Sequence, residues 1–172
     1  MTSYVDHREK CLQVAHDLLN HHSACHYSEG PNRWDWHNYK VPTYPFYGDC
    51  SSTFTAICWW GHVNDPNDLG YHGGDTGTLL AHAKAANLIV GRSKVNPVDG
   101  VLLGWENGQP QHVAMFLQPG TNKDPLCLNM GSTSDPSIQP LSVLLGIGPP
   151  VTYFRVITRV PVKPKPFPRP VH

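Results

Sequence analysis

The sequence predicts an α+β domain, with N-terminal helices packed on a small antiparallel β-sheet. Two observations carry this expectation. Leu12, Ala15, Leu18 and Leu19 recur at helical spacing early in the chain, and after Asn96-Pro97 the pattern changes to short strand-like runs. Helices followed by neighbouring strands form segregated layers rather than alternating βαβ units. A length of 172 residues allows one domain with a real core, and 40% hydrophobic residues exclude a disordered chain.

Taken in order, a helix is expected over residues 3–22, capped by Ser3 or Asp6. From His26 to Tyr47 the chain is rich in Trp, Tyr, Pro and Gly and reads as a long packed aromatic loop. Phe54, Ile57 and Cys58 then share a helical face, with Gly61 as the stop. Asn64 to Asp75 reads as a second loop, and Asp75 or Thr76 caps a short helix through Leu79, Leu80, Ala83 and Ala86. Val101–Trp105, His112–Leu117, Leu126–Met130 and Val151–Val156 read as four strands, with Asn107-Gly108 and Pro119-Gly120 as turn signals. From Val160 onward Pro alternates with Lys and Arg, so residues 160–172 read as an extended basic tail or linker after a domain over 1–159.

Several function classes are disfavoured. Thirteen basic and thirteen acidic residues cancel, which removes the electrostatic argument for a nucleic-acid partner. No run of about 18 apolar residues occurs, so no membrane insertion is expected. The N-terminus is polar and lacks an apolar signal-peptide core, which suggests a protein kept in a cytoplasm until released. Cysteines at 11, 25, 50, 58 and 127 are odd in number and offer no Cys-x-x-Cys pair. Neither a disulfide framework nor a metal site is expected, and no cofactor.

Cys50 is the candidate nucleophile. It stands just before an apolar helical run, where free backbone N–H groups and the helix dipole stabilise an anion. Such a position is expected to lower the thiol pKa and to supply oxyanion donors. A lone Cys is more often an inert buried side chain, so a general base must also be found. His112 opens a strand-like run and is the candidate. Other imidazoles have blander readings: His21, His22 and His26 cluster at a helix end, and His82 lies on a solvated face.

Gly48-Asp49-Cys50-Ser51-Ser52-Thr53-Phe54 resembles the nucleophile segment of the NlpC-type, papain-like cysteine peptidases, whose Asp-Cys-Ser run opens the catalytic helix. Pro97-Val98-Asp99-Gly100-Val101-Leu102 resembles that family's Pro-Gly-Asp-Leu-Val strand start, with a shifted Gly, and Gln111-His112-Val113-Ala114-Met115-Phe116 resembles its His-bearing strand. Tyr27-Ser28-Glu29-Gly30-Pro31-Asn32-Arg33-Trp34 and Gly70-Tyr71-His72-Gly73-Gly74-Asp75-Thr76-Gly77-Thr78-Leu79-Leu80 resemble the version found in lysins of phages of mycobacteria and their relatives. The similarity spans about residues 3 to 158.

The resemblance implies a papain-like fold and a peptidoglycan endopeptidase that cuts a stem-peptide amide through an acyl-enzyme, with Cys50 as nucleophile and His112 as base. It also implies a third, orienting residue on the next strand. The expected column falls on Met130, beside Asn129; Asn129 is the candidate if a bulge turns it inward, and the alternative is no third residue. Asp49, Ser51, Tyr71 and Trp36 are candidates for substrate contact. The implied setting is a monomer that waits in the host cytoplasm for a holin-like permeabilising partner and then meets the wall. An amidase of the same fold, or a weakened wall-binding or virion structural domain, is the alternative reading.

Overall fold

Cys11, Val14, Ala15 and Leu18 line the buried face of helix α1 (Arg8–Asn20). The expected helix is therefore present but starts later than residue 3. The preceding residues form strand β1 (Tyr4–Asp6), and Asp6 Oδ1 accepts the Arg8 N–H at 3.0 Å. The computed structural model describes residues 3–132 and 135–162. Strand β1 pairs antiparallel with the last described strand, Arg159–Pro161, so regular structure runs past the domain end expected at residue 159. Pro161 is compatible with that pairing because it stands at the end of a two-stranded ribbon. Residues 163–172 of the expected tail lie outside the described residues.

The aromatic segment is more regular than a loop. Strand β2 (Cys25–Tyr27) pairs in parallel with β3 (Phe46–Gly48), and a 3-10 helix over Pro31–Asn38 connects them, started by a Pro that needs no N–H partner. Its pattern was hard to read because the buried residues, Trp36 and Phe46, follow no helical or strand period. Helix α2 (Cys50–Trp60) stops at Gly61, and α3 (Thr76–Ala85) begins under an Asp75 cap that accepts the Thr78 N–H at 2.8 Å.

The remaining strands are β4 (Ile89–Val90), β5 (Gly100–Leu103), β6 (His112–Phe116), β7 (Leu126–Asn129), β8 (Ser137–Pro140) and β9 (Val151–Phe154). They form an antiparallel sheet in the order β4-β9-β5-β6-β7-β8, and the Arg159–Pro161 strand is β10. The four expected strands are all there, each ending a residue or two earlier. The two-residue β4, the Pro-containing β8 and the short helix α4 (Leu141–Leu144) gave no periodic signal.

Alternation along the strands gives the sheet two buried faces. Leu102, Val113, Met115, Leu128 and Phe154 join the core built on α1 and α2. Val101, Leu103, Ala114, Phe116 and Cys127 form a second cluster, covered by Leu141 and Leu144 of α4. Gly100 is required where the first core packs closely. A Cβ there would come within 2.3 Å of the Phe154 ring, which itself packs on Phe54 at 5.5 Å between centroids. Helices first and an antiparallel sheet after them make this a mixed α and β chain. No helix among the described residues is long and apolar enough to cross a membrane.

Candidate active site

Asp49 fixes the start of α2. Its Oδ1 accepts the Ser52 N–H at 2.7 Å and the Ser51 hydroxyl at 2.9 Å, while Ser52 Oγ accepts the Asp49 N–H at 2.9 Å. This reciprocal cap satisfies donors that a helix end otherwise leaves bare. Asp49 Oδ2 meets the Arg33 guanidinium, which neutralises a carboxylate only 5% exposed. Cys50 is thereby held at the first position of the helix, and it is the only one of the five cysteines not fully buried.

The thiol itself departs from expectation. Burial pushes it up to about 12, and the neighbouring Asp49 charge adds to the rise. Backbone N–H groups of Val113, Ser51 and Cys50 act the other way, as a helix start should, but do not outweigh desolvation. The resting Cys50 is a neutral thiol, not the partial thiolate that its position suggested.

His112 opens β6, and its Nε2 lies 2.6 Å from Asn129 Oδ1 on β7. No bulge is needed to bring them together. The register that pairs Met115 with Leu128 sets Asn129 across from Ala114, on the strand face that His112 shares. An amide oxygen only accepts, so Nε2 must carry the proton and Nδ1 keeps the lone pair. Desolvation lowers the His112 pKa, with the Asn129 bond and the Asp49 charge opposing, so the ring is neutral at neutral pH. Met130 is buried, 1% exposed, and leaves the orienting position to Asn129.

Cys50, His112 and Asn129 line one open cleft of about 670 Å³, together with Tyr27, Glu29, Glu106, Gln111 and Gln139. Within the described residues, the Cys50 thiol and the imidazole share this cleft but are not hydrogen-bonded to each other. The Tyr27 hydroxyl donates to Glu29 at 2.8 Å, so two residues of the cleft wall are bonded to each other.

The substrate-contact candidates fare differently. Asp49 and Ser51 are 5% and 3% exposed and spend their polar atoms on the helix cap and Arg33, so they build the site rather than face the cleft. Trp36 is 3% exposed and packs against Trp34, His37, Trp59, Trp60 and Tyr71. Tyr71 gives its hydroxyl to Val63 O at 2.7 Å. Both aromatics stabilise the loops around α2 and lie away from the cleft. Arg33, Tyr27 and Glu29 were overlooked as individuals, although all three belong to the 27–34 segment singled out for its resemblance. Nothing in their spacing pointed to Cys50. Among the described residues no group of three or more His, Cys, Asp or Glu is placed to hold a metal ion.

No family model matches the chain, no curated protein matches it, and no solved structure matches it.

Proposed function

We propose that this chain is a cysteine peptidase of the papain-like NlpC type, a phage lysin that hydrolyses an amide of the peptidoglycan stem peptide. The observation that carries the reading is one cleft holding a cysteine at a helix start and an imidazole oriented by an amide oxygen. The sequence resemblance supplies the substrate class.

The chemistry follows from the atoms available. As Cys50 Sγ attacks the scissile carbonyl carbon, its proton passes to His112 Nδ1, the nitrogen left free by the Asn129 bond. The oxyanion forms beside the backbone N–H groups at the start of α2. The imidazolium then protonates the leaving amine, which departs and leaves a thioester on Cys50. His112 next takes a proton from water as the water oxygen attacks the thioester; the C–S bond breaks, the sulfur recovers that proton from His112, and the product leaves as a carboxylic acid that ionises in water. Asn129 holds the ring tautomer throughout. The mechanism calls on no metal or organic cofactor. The natural partner is wall peptidoglycan, reached by a monomer from the host cytoplasm once a holin-like protein has opened the membrane.

One observation favours a second reading, a wall-binding domain with weakened catalysis. The thiol is pushed up to about 12 and is not bonded to the imidazole, so substrate binding must draw the pair together before a proton can move. Digestion of purified cell wall, with mass spectrometry of the products, separates these readings. New amino and carboxyl ends within the stem peptide support the peptidase. Free lactyl ends on the sugar indicate an amidase, and unchanged wall with retained binding indicates the weakened domain.

A further inference from the structure

A second cavity borders the β2–β3 ribbon. It holds about 230 Å³ and is bordered by Trp36, Tyr39, Tyr44, Tyr47, Asp35 and Asn32. The two sites share no residue but are joined by one pairing: Tyr27 of β2 lines the cleft, while Tyr47, beside Gly48 of β3, lines this cavity.

Its walls are prearranged. The Tyr44 hydroxyl donates to Asp17 at 2.7 Å, and its ring stacks on His21 at 4.4 Å. Tyr47 packs against His26 at 5.4 Å, and the Tyr39 carbonyl accepts the Trp60 indole N–H at 3.1 Å. Tyr39 and Tyr47 nonetheless remain 45% and 36% exposed, so aromatic surface is held in water rather than buried. Asp35 is exposed and enters no ion pair among the described residues. Trp36 is 3% exposed, and its Nε1 has no hydrogen-bond partner among the described residues. A buried donor without an acceptor is costly, and this one belongs to a residue that borders the cavity.

We infer that this cavity binds a pyranose unit of the wall glycan, so that the domain grips sugar at one site and cuts peptide at the other. Aromatic faces pack against the C–H face of a sugar ring, and a carboxylate with an amide accepts from and donates to its hydroxyls and acetamido group. A methylated ammonium would also suit the rings and Asp35. It offers nothing to the Asn32 amide, whereas a sugar offers an acceptor. The choice of sugar rests on the wall-hydrolase reading; the cavity's chemistry does not.

The test uses the full chain carrying Cys50→Ser, titrated with tri-N-acetylglucosamine, which has no peptide to cut. Saturable binding, read by indole fluorescence and calorimetry, is expected, and Tyr39→Ala or Asp35→Ala should weaken it about ten-fold. In the cysteine-bearing protein the same two substitutions should slow clearing of intact wall several-fold while cleavage of a soluble stem peptide continues at the parental rate. Absence of saturable sugar binding overturns the inference, as does binding indifferent to both substitutions, or saturation by choline instead. A chain that binds the sugar but cuts no stem peptide retains this site and refutes only the peptidase reading.

Discussion

His112 Nε2 and Asn129 Oδ1 are 2.6 Å apart, joining two neighbouring strands at the mouth of the cleft that Cys50 enters from α2. That bond selects the ring tautomer in which Nδ1 is free to take the thiol proton. Asn129→Ala should therefore reduce kcat about 10²–10⁴-fold with little change in KM, because the loss falls on the chemical step. Met130→His should restore nothing, since Met130 is buried and Asn129 already occupies the orienting position. Steady-state kinetics of both variants on one soluble stem peptide measure this.

The thiol's environment fixes how Cys50 responds to pH without substrate. Its pKa is raised to about 12, so the protonated form is favoured by folding. Iodoacetamide labelling of Cys50 should rise about ten-fold per pH unit between 6 and 9, with no plateau, because only thiolate reacts. A plateau below pH 7 would show an ion pair already formed at rest. The same sign holds for stability: the contribution of the neutral thiol is present below the ordinary cysteine pKa of about 9 and is lost as pH rises toward 12.

Arg33 neutralises the Asp49 carboxylate at the start of α2. Arg33→Ala leaves that buried group with one partner fewer and should cost about 1–3 kcal/mol in urea unfolding. It should also slow Cys50 labelling at fixed pH, since an unneutralised Asp49 raises the thiol further. Unchanged stability and labelling together would show that the pair is incidental.

Gly100→Ala places a methyl into the Phe54–Phe154 contact and should destabilise the fold by about 1–3 kcal/mol. Phe154→Leu in the same chain should return part of that loss, which a double-mutant cycle reads directly.

Much of this was legible where one physical rule dominates. The spacing of Leu12, Ala15 and Leu18 marked α1, which buries one periodic face, and short apolar runs between turn signals marked β5, β6, β7 and β9, whose side chains feed the clusters on both faces of the sheet. The helix start at Cys50 was legible from Asp49 and the apolar run after it. What stayed hidden depends on contacts distant in sequence. The β1–β10 pairing joins residues more than 150 apart in number, so neither segment shows a partner locally. The side on which Asn129 emerges depends on register with β6, and the strand's own residues do not encode it. The raised thiol is the opposite of what the helix dipole suggests, because burial by surrounding elements outweighs it. Asp49 and Ser51 look like substrate contacts in a linear motif, yet their polar side-chain atoms go to the cap and to Arg33.

A nucleophilic role for Cys50 in this cleft has a direct test. Turnover of a soluble stem peptide should be compared between the parent chain and Cys50→Ser, each shown by circular dichroism to be folded. That role requires cleavage by the parent and a loss of at least about a thousand-fold in the variant, because a serine hydroxyl is a far poorer nucleophile there. A parent that cuts no stem peptide, or a variant that keeps more than about a tenth of the activity, contradicts it.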